Sequence, residues 1–302
     1  MKKILCVLMS CLLFVMAGCS GHSKNLKFGA ADIGGVYYSF ASTFTQLADN
    51  EIDGYTFETK TTAGSVANLR LISDGYIDLA IVQADLLSDA YNATGTFADK
   101  KYQKGYKAIA SLYTECCQIV VRKDSGITGI DDLINKTVSV GASESGTEKN
   151  AEQILKMSGI TDELINKVNM DYTEAAEKLK AGEIDAFFCT AGTRTEVIGQ
   201  LSKECDIRLI SLDDKCIDKM LSAYSLCEKY TIPAGTYNGQ DSDVTTIGVK
   251  AVLIAKQSLS DDVIKNVTKT IYEHADDFKY ATSLDISFDI NTAAGGVDIS
   301  FH

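Results

Sequence analysis

The sequence has no tryptophan, a single proline (Pro233) and three histidines, His22, His274 and His302. Histidine is the usual general acid or base, yet His22 falls in an early polar run, His274 in a helical pattern and His302 at the end. None stands beside a glycine-rich turn, and no G-x-S-x-G elbow occurs, so a hydrolase is poorly provided for. None of the nine cysteines forms a C-x-x-C pair, which removes the usual support for zinc and for thioredoxin-type redox chemistry. Positive charge is also short: 29 Lys and Arg stand against 41 Asp and Glu, a net charge of −12. That acidity works against a nucleic acid partner. No motif calls for a metal or a cofactor, and no catalytic constellation emerges.

What is present begins with the first residues. Lys2 and Lys3 precede Ile4 to Met16, apolar apart from Ser10, and then Ala17-Gly18-Cys19. The apolar stretch is too short for a mature membrane span and has signal-peptide flanks. Residues 1–18 are expected to be a lipoprotein-type signal peptide, with Cys19 lipidated and 19–25 a tether. The protein is then extracytoplasmic and held to the membrane by lipid. Among the remaining cysteines, Cys205, Cys216 and Cys227 lie eleven apart, and an oxidising compartment permits a bridge among them. Buried free thiols are the favoured alternative, because 45% hydrophobic residues can fill a sizeable core.

Strand and helix patterns alternate along the chain, an α/β arrangement with parallel strands and helices on the sheet faces. Strands are read at Leu26–Ala30, Tyr55–Lys60, Ile77–Val82, Lys107–Tyr113, Gln118–Arg122, Lys167–Tyr172, Ile184–Cys189, Ile207–Ser211 and Thr245–Ala255. Helices are read from Tyr37 to Asp49, from Ser65 through Ile72, over Gln83–Tyr91, Glu148–Met157, Glu174–Lys180, Arg194–Leu201 and Lys215–Tyr224, and over a long Asp261–Phe278. Leu71 to Ala80 echoes Leu179 to Phe187: each is a helix end, a glycine, then Ile-Asp opening a buried strand.

The most suggestive turn is Gly141 to Thr147, GASESGT, between the Val138 strand and a helix. Its spacing is one residue short of a phosphate loop and lacks the Lys that motif needs. Free N–H groups at a helix start bind anions, so a carboxylate is expected rather than a nucleotide. A second turn of the same kind, Gly64-Ser65, suggests a cleft with anion donors on both walls.

Taken in order, the motifs resemble the TAXI family of solute-binding proteins that serve TRAP transporters. They are Gly34-Gly35-Val36-Tyr37-Tyr38, Thr61 to Leu69, Ala80-Ile81-Val82-Gln83-Ala84-Asp85, Ala90 to Phe97, Ser125-Gly126-Ile127 with Asp131-Asp132-Leu133, GASESGT, Ile184 to Phe188 and Ile232 to Tyr237. The resemblance implies a two-lobed periplasmic-binding-protein fold of type II-like form, each lobe a mostly parallel sheet flanked by helices and joined by hinge strands. Lobe 1 is expected over 26–112 plus 230–302 and lobe 2 over 113–229. It further implies delivery of a small carboxylate (glutamate, glutamine or a 2-oxo or dicarboxylic acid) to a TRAP permease, typically coupled to sodium. Two departures stand out: Gly192-Thr193-Arg194 replaces the family's Gly-x-Pro, and the chain stops at His302 where members continue past a His.

A carboxylate ligand needs fixed donors. Ser143, Ser145, Gly146 and Thr147 are expected on one wall, and Ser65 and Asn68 on the other, Asn68 following the family pattern. Gln83 is placed on the floor, and Gly35 in the turn that leads to Tyr37 and Tyr38. One of these tyrosines is expected to close over the ligand and the other to be core. Ser65 and Ser145 can also simply cap helices. Arg194 either clamps a carboxylate or points to solvent, and Glu144 or Asp85 would meet an ammonium group. A sensory binding protein that presents its ligand to a receptor is the alternative function, with the same fold.

Overall fold

The computed structural model describes residues 23–99, 104–284 and 293–302. The expected signal peptide and Cys19 lie outside the described residues. Among these residues ten strands form one sheet: β1 (Lys24–Gly29), β2 (Tyr55–Lys60), β3 (Leu79–Gln83), β4 (Tyr106–Arg122), β5 (Thr137–Ser139), β6 (Asn166–Val168), β7 (Ala186–Ala191), β8 (Ile207–Leu209), β9 (Cys227–Ile232) and β10 (Val244–Lys256). Among the described residues nine α-helices accompany them: α1 (Val36–Glu51), α2 (Ser65–Ser73), α3 (Ala84–Asn92), α4 (Gly146–Met157), α5 (Tyr172–Ala181), α6 (Glu196–Glu204), α7 (Asp214–Ala223), α8 (Asp261–Glu273) and α9 (Ala275–Thr282). Among the described residues no helix is long and apolar enough to cross a membrane.

The order along the sheet is β2-β1-β3-β10-β4-β7-β5-β6, with β9 beside β10 and β8 beside β4. At one end β1 pairs parallel with β2 and β3, and at the other β5 pairs parallel with β6 and β7. The middle is antiparallel, where the long strands β4 and β10 pair with each other and link the two halves. Their register shifts twice, between Ala251 and Val252 and between Leu253 and Ile254. β3 is buried at every residue, as expected for a strand covered on both faces.

Four apolar clusters fill the spaces between helices and sheet, two in each half. In one, the period of α1 brings Phe40, Ala41, Phe44 and Ala48 to a single face. Phe44 packs edge-on against Phe28 and Phe57, with ring centroids 5.5 and 5.4 Å away. Phe40 stacks on Phe278 at 4.4 Å.

The structure corrects several sequence expectations. Lys107–Tyr113 and Gln118–Arg122 are one strand, β4, because the polar Thr114-Glu115 step between them stays in the ladder opposite Val249 and Lys250. β9 went unread, since its pattern of mostly exposed charged and polar residues gives little apolar signal. The long helix breaks at His274, whose imidazole lies 2.6 Å from a Glu51 carboxylate oxygen and 2.9 Å from Asp277. α9 starts after that break, and its Phe278 stacks on Phe40. All six described cysteines are free thiols, and five of them are buried.

Candidate functional site

Glycine is required where the GASESGT turn meets its helix. Gly141 has φ +97°, in the left-handed region, and a Cβ there would press on Thr147. Glu144, also left-handed at φ +65°, precedes Ser145, which caps α4 by accepting from the Glu148 N–H at 3.0 Å. Helix geometry leaves the N–H groups of Gly146 and Thr147 without carbonyls of their own helix to bond. α2 also starts at a glycine turn, but there Gly64 (φ +118°) is itself the N-cap and Ser65, the first helical residue, does not cap it. The two turns face each other, since a Cβ on Gly64 would stand 3.5 Å from the Ser145 Cα.

Between them lies a narrow cavity, with about 40 Å³ open to the centre of a water molecule, lined by residues from both halves of the sheet. Gly35, Tyr37, Ser65, Gln83, Ser145, Gly146 and Thr147 all line it. The Ser65 hydroxyl accepts from the Gln83 N–H at 3.0 Å, which ties α2 to the end of β3. The Thr147 hydroxyl accepts from the Thr190 N–H at 3.1 Å and lies 2.6 Å from the Tyr172 oxygen. Tyr172 donates its own proton to the Thr190 carbonyl, so Thr147 donates to Tyr172. What Thr147 leaves for a ligand is therefore its backbone N–H, not its hydroxyl.

Four expected residues lie elsewhere. Tyr38 packs against the α1 core cluster, while Tyr37, one position earlier, turns its hydroxyl to Glu115 at 2.8 Å. Asn68 is fully buried and spends its amide on the carbonyls of Ala30 at 2.6 Å and Ile81 at 2.9 Å, and its oxygen on Thr62. It holds α2 against the sheet rather than facing the cavity. Ser143 is exposed at the tip of its turn. Arg194, at φ +68°, borders surface grooves outside the cavity. Of the two candidate partners for an ammonium group, Glu144 pairs with Arg70 at 2.7 Å. Asp85 is half-buried outside the cavity lining with its carboxyl oxygens covered, and their desolvation pushes the carboxyl up to about 6.

Several lining residues escaped sequence reasoning: Asp32, Glu115, Asp171, Tyr172 and Thr190. Glu115 is 3% exposed in mid-strand. Burial, the largest cause, pushes its carboxyl up to about 8 despite hydrogen bonds from Tyr37 and Gln83. A lone acid within an apolar strand is costly unless partnered, and that was the available signal. Asp32 accepts from the Tyr172 N–H at 2.8 Å, which joins the first half to the second, and burial raises its carboxyl too. The Ala67 N–H to Glu144 carbonyl bond, at 3.1 Å, joins the halves on the opposite side. The lining contains no Lys, Arg, His or Cys.

Solved structures share this two-lobed periplasmic-binding-protein fold at low identity. A binding protein component of an ABC phosphonate transporter from Pseudomonas aeruginosa is 11% identical, with 86% of this chain and 78% of that chain covered and a TM-score of 0.58. The ligand binding component of an ABC-type import system from Staphylococcus aureus is 12% identical, with 92% and 85% covered and a TM-score of 0.51. The model of the NMT1-like family matches residues 28–302, and the chain belongs to that family.

Proposed function

We propose that the protein is an extracytoplasmic solute receptor that binds a small carboxylate and delivers it to a membrane transporter. The observation that carries this reading is the cavity between the halves, where the starts of α2 and α4 converge from opposite walls. Helix N-termini supply fixed N–H donors and the positive ends of two dipoles, which suit an anion held without a cation. The lining offers no histidine or cysteine for acid–base or nucleophilic work, which supports binding over catalysis. Lobes over 26–112 plus 230–302 and over 113–229 would close on the ligand about β4 and β10. The TAXI resemblance supports a TRAP permease as partner, and the run Ala17-Gly18-Cys19 after a short apolar stretch supports a lipid anchor at Cys19.

The test is a thermal-shift screen of the purified protein against amino acids, 2-oxo acids, dicarboxylates and phosphonates. A ligand at 100 times its dissociation constant adds about 2.7 kcal/mol of stability, so a clear rise in melting temperature is expected for at least one carboxylate. No shift across the panel would sink the reading. Acyl mass on a Cys19 peptide from the membrane fraction tests the anchor, and co-purification with a many-span permease tests the partner against the sensory alternative.

A further inference from the structure

The cavity lining carries three carboxyl groups, Asp32, Glu115 and Asp171, and no basic side chain. Asp171 is occupied in capping α5 through the Glu174 N–H, and Asp32 accepts from the Tyr172 N–H. Glu115 accepts from the Tyr37 hydroxyl and from the Gln83 side chain. With its amide NH2 turned to Glu115, Gln83 presents its carbonyl oxygen toward Gly146, and that oxygen is buried and unpartnered. Thr190, 4% exposed, likewise has an unpartnered hydroxyl oxygen in the lining.

The Gln83 carbonyl oxygen, a bare acceptor, thus stands directly beside the donors that open α4, while the Thr190 hydroxyl can donate or accept. A dicarboxylate or 2-oxo acid would satisfy the N–H groups and take the O–H of a protonated Glu115, but it would bring another acceptor to the buried Gln83 carbonyl oxygen and leave that oxygen unpaired. An ammonium group next to a carboxylate matches both sets. We propose that the pocket selects α-amino acids over the corresponding 2-oxo acids and dicarboxylates, with Glu115 and the Gln83 carbonyl receiving the ammonium group and the start of α4 the carboxylate. This rests on the receptor reading above.

The groups around Glu115 sharpen the consequence. Tyr37, Tyr113, Tyr172, Asp85, Cys116 and Cys189 surround it, and none is cationic. With its carboxyl at about 8, Glu115 holds its proton in the empty pocket at pH 7. An arriving ammonium keeps its own three protons and favours the carboxylate. The Glu115 proton leaves to the buffer, so close to one proton is released for each ligand bound.

The experiment is isothermal titration at pH 7 with L-amino acids and their matched 2-oxo acids, each in two buffers of different ionisation enthalpy. Expected are at least one amino acid binding 100-fold or more tightly than its 2-oxo counterpart, and release of nearly one proton. Glu115→Gln should abolish the release and weaken the amino acid at least tenfold, with Gln83→Met as the variant that removes the second acceptor. A 2-oxo acid or dicarboxylate binding as tightly, or proton uptake by the wild type, would overturn the selectivity while leaving the receptor reading in place. Binding of no panel member would overturn both.

Discussion

Gly146 and Gln83 meet with no room for a methyl group between them: a Cβ built on Gly146 would overlap the Gln83 side-chain amide. Gly146→Ala must push that amide off Glu115 or push α4 back. We expect a loss of about 1–3 kcal/mol in urea unfolding, restored for the most part by adding Gln83→Ala. Equal instability of the double and single variants would mean that the two residues do not share this space.

Asn68 predicts a different outcome from the one its sequence position suggests. Asn68→Ala removes the amide donor from the buried carbonyls of Ala30 and Ile81, of which Ala30 keeps the Thr62 hydroxyl, for a loss of about 1–3 kcal/mol. The denaturant midpoint should fall sharply. A variant of unchanged stability that had lost only ligand affinity would return Asn68 to the binding surface.

Arg70 and Glu144 form a two-pronged pair, 2.7 and 3.3 Å, between α2 and the turn before α4. Both side chains are about a third or more exposed, so solvent and salt screen them. A double-mutant cycle to alanine should give a coupling of less than about 1 kcal/mol, shrinking further in concentrated salt. A large, salt-insensitive coupling would contradict this.

Acid in the core gives stability a definite pH slope. Glu115 binds its proton in the folded protein up to about 8, whereas the unfolded chain releases it near the ordinary carboxylate value of about 4.3. Between those values the folded state holds more protons, so stability falls as pH rises, by up to about 1.4 kcal/mol per unit. Asp85 adds the same sign only up to about 6. His274, raised by Asp277 and Glu51, also loses its contribution as pH rises through its folded value. Melting temperature should therefore drop from pH 6 to pH 8, and Glu115→Gln should flatten the drop where His274→Gln trims it only modestly. An unchanged slope in Glu115→Gln would show that the acid is not held protonated.

Both glycine-serine turns could be read from the sequence because small residues and a following helix period sit together in each, although only Ser145 caps its helix. The same local signals located Gln83 at a strand end and Tyr37 at a helix start. What stayed hidden depends on pairing between distant segments. Glu115 gained meaning only when Tyr37, 78 residues away in sequence, came to hold it, and Tyr172 only when Asp32 reached its N–H. Asn68 misled because its neighbours in sequence belong to the site while its own amide points back into the sheet. Tyr37 and Tyr38 were separable only by which of them faced β4.

The long pairing of β4 with β10 gives the molecule a mechanical character. Two ladder-bonded strands joining the halves resist shear, since sliding would break their hydrogen bonds together. Rotation of one half against the other is instead taken up as added twist, which a two-stranded ribbon tolerates. The register shifts at Ala251/Val252 and Leu253/Ile254 are where such twist concentrates. The linkage therefore acts as a torsion spring of limited travel, and substitutions that stiffen those two steps will change how fast the halves part more than how well they fold.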